Sequence, residues 1–438
     1  MNNKIIPLVM AVGLGASFNA NASVLLENDV LRLTYKNYYW NEDPNSYGSI
    51  DGGSTRNEWV HAALLDYSTG YINDWIKLDY GFAVADQLSI GSDVTDVSNL
   101  PSNSADITNP DSMVSTQTAY LSLRYPGDTF ALTAGAGKKR RSSLLYDDSN
   151  SRILPSTTVG FDLSADTEKL TLYFTQFDKH SPRNNDNWGD SLENFLGEEI
   201  EYVSYFGAQY RFDNGLSVDA MKLEAKDYLR ERLLKAQYSM PLSQESSLQM
   251  SFIYGNQQDA GQLFERSGLG GYAPAGDLDV DFYDAGIDYQ HGPYTLSLNY
   301  LTVKGGDFNR VLFSSDHGTW NTSGNNWSFN GLENEKMIRI GVATDFSQMG
   351  VPGLFWVVQG IGSYDAAGYD DFSRKELVSY VSYDFQGALK GLNVSWYADI
   401  HRAEGEVDGV KRTESVVGPA GLERKDVNRF YLSYSKEF

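Results

Sequence analysis

The last ten residues, Arg429–Phe438, read "RFYLSYSKEF". Phe430, Leu432, Tyr434 and Phe438 share one parity, and Arg429, Ser433, Ser435 and Glu437 share the other. Successive side chains of a strand point to opposite faces, so this segment presents grease on one side and charge on the other. It ends on a bare aromatic carboxylate. The same alternation recurs through the chain. "PYTLSLNYL" puts Tyr294, Leu296, Leu298 and Tyr300 opposite Thr295, Ser297 and Asn299. "LNVSWYADI" puts Leu392, Val394, Trp396, Ala398 and Ile400 opposite Asn393, Ser395, Tyr397 and Asp399.

The other end of the chain states the compartment. "MNNKIIPLVMAVGLGASFNANAS" has a positive start at Lys4, a short apolar run from Ile5 to Gly15, and a small-x-small site at Ala20–Ala22. This is the pattern of a secretory signal peptide cleaved after Ala22, which leaves residues 23–438 as one exported domain. The apolar run is too short to span a bilayer, and no later segment approaches 18 consecutive apolar residues. The chain contains no cysteine, weak information for a chain with room for a large core. A formal net charge of −23 argues against nucleic acid as a partner. Tyr 29, Phe 21 and Trp 8 make it rich in aromatics. Export, aromatic abundance, moderate polarity and two-faced strands together describe an outer-membrane β-barrel, in which only half of each strand meets lipid.

Roughly 18 such segments can be counted, from residues 30–40 to 427–437. Even-numbered segments lead into tight turns such as "YPGD", "SADT", "FDNG" and "QHGP". Most odd-numbered ones lead into long polar loops: 84–117, 137–156, 179–200, 257–278, 303–335 and 403–426. An all-β, up-and-down antiparallel barrel has this asymmetry, with short periplasmic turns and long outer loops. "KLEAKDYLRERLLKAQY" has helix-forming composition but is read as a hairpin turning near Ala225–Asp227, because strands flank it. The faces of 57–67, 228–238 and 353–363 stay ambiguous.

Several stretches resemble the OprD family of substrate-specific outer-membrane porins, which includes basic-amino-acid porins and chitoporins. "LTYKNYYWNED" is similar to its opening strand and "EWVHAALLDYSTGY" to its second. "SLLYDDSNSRILPSTTVG" is similar to its third outer loop, and "HSPRNND", "MGVPGLFW" and "KGLNVSWYADIHR" follow in the family's order. The resemblance implies an 18-stranded barrel whose third loop folds inward as an eyelet. Carried to residues 137–156, it makes Tyr146, Asp147, Asp148 and Arg152 constriction candidates. The run "KKRR" at Lys138–Arg141 reads either as a solvated rim patch for acidic lipid headgroups or as a steering element at the eyelet mouth. The family's wall of arginines looks thinned. Lys36 and Arg32 keep the inward parity, but Glu42 follows them, Ser395 and Tyr397 stand where arginines are typical, and Arg339 remains. Aromatic and acidic groups join the wall: Tyr38, Tyr397, Asp399, His401, Asp284 and Asp288.

These features imply a porin for passive diffusion of small hydrophilic solutes. The thinned wall and "WNTSGNNWSF" direct the expectation toward oligosaccharides, chito-oligosaccharides among them. Basic amino acids, peptides or small carboxylates are the alternative. Trp320 and Trp327 serve either as loop packing or as sugar-stacking faces. The acidic balance anticipates cation selectivity. His61, His180, His291, His317 and His401 lie in separate segments without ligand or triad spacing, which argues against an enzyme or a metal site. No cofactor is readable. A water-soluble β-rich adhesin is a further alternative. Expected partners are outer-membrane lipid and lipopolysaccharide, the barrel-insertion machinery through terminal Phe438, and the solute, with the protein a monomer or loose trimer.

Overall fold

The computed structural model describes residues 28–44, 55–268, 277–318, 322–325, 329–407 and 424–438. The leader with its cleavage site, Trp320, Trp327 and much of the 403–426 loop lie outside the described residues.

Among the described residues, twenty strands follow in chain order. They are β1 (Val30–Pro44), β2 (Arg56–Ser68), β3 (Ile76–Ile90), β4 (Met113–Pro126), β5 (Ala131–Lys139), β6 (Thr157–Asp166) and β7 (Leu170–Ser181). Two short strands, β8 (Asp190–Glu193) and β9 (Glu199–Ile200), form a hairpin within an outer loop. Then come β10 (Val203–Arg211), β11 (Leu216–Ala225), β12 (Leu229–Pro241), β13 (Ser246–Asp259), β14 (Asp279–His291) and β15 (Tyr294–Lys304). The last are β16 (Lys336–Asp345), β17 (Leu354–Tyr364), β18 (Tyr369–Asp384), β19 (Leu392–Val407) and β20 (Arg424–Glu437).

Each barrel strand pairs antiparallel with its neighbour in sequence, β7 passing over the loop hairpin to β10. β20 returns to β1, from Arg32 opposite Glu437 to Pro44 opposite Lys425, and closes an 18-strand barrel. Closure leaves no sheet edge, and in hydrocarbon an unpaired backbone group would cost several kcal/mol. Phe438 completes the seam, donating its N–H to Leu31 O at 2.9 Å.

The alternation places side chains as the sequence expects. Leu296 and Leu298 are about half exposed on the outer surface, and Phe430, Tyr434 and Trp396 share it. The ambiguous segments are resolved. Trp59, Leu65, Leu234 and Trp356 face outward, while Glu58, Val60, Glu231 and Ile361 are buried on the inner side. The helix-like stretch is the β11–β12 hairpin, its turn made by Lys226–Tyr228 with Asp227 in the left-handed region at φ 58.

Several strands run past their expected ends on the long-loop side: β1 to Pro44, β3 to Ile90, and β4 from Met113. There polar residues enter the pattern on either parity, as at Asp86, Gln87, Ser115 and Thr116, beside apolar Leu88 and Val114, so clean hydropathic alternation stops before the hydrogen-bond ladder does. A six-residue helix, Gln262–Ser267, lies in the loop after β13. The buried apolar side chains join outer loops to the inner wall of the barrel, in one large cluster around Tyr146, Phe177, Phe313 and Leu223 and a second around Trp40, Leu100, Ile153 and Leu154.

Candidate eyelet and solute path

The segment between β5 and β6 enters the barrel and is pinned by its acids. Asp148 is buried and accepts from Arg141 N at 2.7 Å, Tyr146 Oη at 2.7 Å and Thr158 Oγ1 at 3.0 Å. Burial nevertheless pushes its carboxyl up to about 7. Tyr146 packs against Phe177 and Phe313 with ring centres 4.9 and 6.2 Å away. Arg140 forks both oxygens of Asp147 at 3.0 Å, and Arg141 and Lys139 each reach Asp162 at 3.0 Å.

The tip of this loop meets the seam. Trp40 on β1 is fully buried and gathers three guanidiniums around its ring: Arg152 at 3.9 Å, Arg429 at 4.4 Å and Arg56 at 4.9 Å. Cation–π attraction of about 0.5–2 kcal/mol each offsets part of their mutual repulsion. Arg56 is neutralised by Glu42, both of whose oxygens lie 3.1 Å away, and by Asp96. Arg152 is held differently, donating to Ser98 Oγ at 2.7 Å and to Ser151 O and Oγ at 3.0 and 3.1 Å. Arg183, from the loop after β7, donates to Ser149 Oγ at 3.0 Å and to Ser151 Oγ at 2.6 Å. None of these acceptors carries charge. Burial first, and neighbouring arginines second, hold Arg152 well below its ordinary pKa and bring Arg183 down to about 9. Guanidinium stays protonated in proteins, so this crowding persists as positive potential.

Below the tip a cleft of about 340 Å³ lies between loop and seam. Tyr38 and Tyr431 stack across the seam with centroids 4.5 Å apart and planes 9° from parallel. Lys36 sends Nζ to Ile153 O at 3.5 Å, while Tyr397, Arg429, Asn150, Asn393 and Ser395 complete the wall. The arrangement can bind a small solute.

A profile described as "outer membrane porin, OprD family" matches residues 25–434. The chain belongs to this family. Porin D of Pseudomonas aeruginosa is 25% identical over 377 residues, which are 80% of this chain and 77% of that one. Among solved structures, P. aeruginosa OccK9 (OpdG) superposes with TM-score 0.77 at 20% identity, over 94% of this chain and 100% of that one. P. aeruginosa OpdK with vanillate gives 0.74 at 20%, over 94% and 100%. Acinetobacter baumannii OccAB2 gives 0.76 at 18%, over 94% and 99%. The protein is thus an outer-membrane porin, a channel rather than an enzyme.

In this OprD-family barrel the residues singled out from sequence divide into three groups. Lys36, Tyr38, Arg152 and Tyr397 converge on the cleft. Arg339, donating to Asn299 Oδ1 at 3.0 Å, and Asp288, accepting from Ser297 Oγ at 2.6 Å, face the lumen elsewhere. The others hold loops or lie beneath them. Tyr146, Asp147 and Asp148 anchor the eyelet loop from behind, and Asp284 accepts Ser323 N at 2.7 Å and Oγ at 2.6 Å. Asp399 accepts from Tyr397 Oη at 2.6 Å, and buried His401 stands 4.0 Å from Glu376. The "KKRR" run also divides. Lys138 is buried under the loop after β7, donating to Asn187 O at 3.0 Å with Nζ 5.5 Å from the Trp188 ring, and the other three pair with carboxylates.

Sequence reasoning missed Trp40, Arg429, Tyr431 and Arg183. Arg429 stands on the inward parity of the closing strand, and the cations gathered near Trp40 come from β2, the seam and two loops. Arg183 sits in a polar loop whose path into the lumen has no periodic signature.

Proposed function

We propose that the channel passes small carboxylates, flat aromatic ones included. The carrying observation is the pairing of Arg152 and Arg183, positioned by serine oxygens and not neutralised, beside Arg429 and the Tyr38–Tyr431 stack. Replacing the hydration of a carboxylate takes charge-assisted, forked donors, which guanidinium supplies. OpdK, a structural neighbour, was crystallised with vanillate, itself an aromatic carboxylate. In planar bilayers, benzoate and vanillate should produce resolved blockades where uncharged benzyl alcohol does not. Equal behaviour of the three would overturn the reading.

The oligosaccharide expectation keeps one observation in its favour. The same cleft mixes Tyr38, Tyr380, Tyr397 and Tyr431 with Asn150, Asn393 and Ser395, a lining suited to pyranose faces and hydroxyls. Blockades by chito-oligosaccharides without any by benzoate would favour it. Ion preference is a separate quantity. The net charge of −23 favours cations at the mouths, whereas the eyelet presents guanidiniums. The narrowest point dominates the barrier, so we infer anion preference there; a reversal potential in a KCl gradient decides it.

We also infer that a leader ending at Ala22 directs export and that the insertion machinery reads Phe438. The barrel then stands among lipopolysaccharide as a monomer or loose trimer.

A further inference from the structure

We propose that Glu58 is a positioning residue for the eyelet: without touching solute, it sets where the Arg152 guanidinium stands. The proposal rests on the carboxylate reading for its solute but not for its geometry.

Glu58 lies on the inner face of β2 and is completely buried. A carboxylate there costs free energy unless its lone pairs are used. All three donors come from one dipeptide of the loop after β3. Ser98 N reaches Oε1 at 3.1 Å, and Asn99 N and Nδ2 reach Oε2 at 3.1 and 2.9 Å. That dipeptide then offers its own side-chain oxygens to two consecutive eyelet residues. Arg152 Nε donates to Ser98 Oγ at 2.7 Å, and Ile153 N donates to Asn99 Oδ1 at 2.9 Å. The path from wall to eyelet is therefore two hydrogen bonds long on each branch.

The chemistry requires an acid. With Nδ2 spent on Glu58, the Asn99 amide must turn Oδ1 toward Ile153. A glutamine at 58 has one acceptor oxygen and would set its NH₂ against an N–H or the Asn99 amide donor, and releasing that clash moves Asn99, Ser98 and Arg152 together. A simple loop anchor would instead lower stability and leave the solute's view of the eyelet unaltered.

The test combines Glu58→Gln with Arg152→Gln in a double-mutant cycle, reading benzoate residence time and reversal potential in the same bilayers. Ser98→Ala, which removes one branch and leaves Glu58 its backbone partners, guards against a Glu58 variant that does not fold. Glu58→Gln should shorten benzoate residence by roughly 5-fold, less than outright removal of the guanidinium, because the cation is displaced and not lost. Ser98→Ala, which changes no charge, should shorten it likewise and shift the reversal potential in the direction that Arg152→Gln does. Neither should alter residence further once Arg152 is gone. If Arg152→Gln changes both readouts while Glu58→Gln and Ser98→Ala change neither, or if the effects add, the proposal is overturned. If benzoate blocks no version of the channel, the carboxylate reading falls, and coupling in the reversal potential still decides the role of Glu58.

Discussion

Arg429 and Trp40 face each other across the seam that closes the barrel, with the guanidinium carbon 4.4 Å from the ring centre. They are register partners between the last strand and the first. The seam that closes the fold thereby also supplies one wall of the cleft.

Replacing Arg429 with Gln should leave the barrel closed, because the β1–β20 ladder is made by backbone. It should weaken carboxylate binding by about 10- to 100-fold, the 1.5–3 kcal/mol of a hydrogen bond to a charged group. Blockade frequency and dwell time against benzoate concentration measure this. An unchanged affinity would place the solute elsewhere.

Trp40→Ala should be the more damaging change. It removes a fully buried indole from the cluster containing Leu100, Ile153 and Leu154 and takes away the face that three guanidiniums share. Truncating a buried aromatic costs about 3–5 kcal/mol. The unfolding temperature in detergent should fall, and open-channel current should become noisier as the loop tip loses its seat.

The two faces of a strand should respond oppositely to charge. Leu298→Arg puts a cation on the lipid side of β15 and should cost about 2–4 kcal/mol if it lies near the bilayer midplane. Ser297→Arg, one residue away, points to water and should change stability little while altering ion preference. Heat-modifiable gel mobility after urea titration separates the two; equal losses would contradict the lipid-facing assignment.

Asp148 makes eyelet stability depend on pH below neutrality. Its carboxyl is raised from the ordinary 3.8 to about 7, so the folded state holds the proton more tightly than the unfolded chain. Its contribution is most favourable at low pH and is lost as pH rises toward and through 7. Buried His180 and His317, held down near 3 and 2, work the other way around and below their ordinary 6.5. The Asp148 share of stability should fall between pH 3.8 and 7, by at most about 1.4 kcal/mol per pH unit, and level off above. Asp148→Asn should flatten the slope, as followed by thermal unfolding in detergent.

Much of the barrel was legible because hydropathic period reports solvent locally. A strand with oil on one side and water on the other must alternate, so β15, β19 and β20 could be read with their faces. The turn-and-loop asymmetry followed from the same reading. Legibility stopped where polar residues enter on either parity. The upper ends of β1, β3 and β4, the β8–β9 hairpin and the loop helix carry no sustained alternation to betray them. Hydrogen bonding of the acids was equally hidden. Asp148 and Asp284 read as lumen charge by loop position or parity, and their partners come from a folded-in loop that has no periodic signature.

By itself the sequence determined a closed antiparallel barrel, its inner and outer faces, and the side on which its long loops lie, since each depends on contacts between a residue and its immediate solvent. Which inner residues meet at the cleft between loop and seam was decided only in three dimensions. Trp40 and Arg429 come from opposite ends of the chain, and Arg152 and Arg183 from separate loops. Their meeting depends on seam register and on buried carboxylates that hold those loops inside, neither of which leaves a local periodic mark.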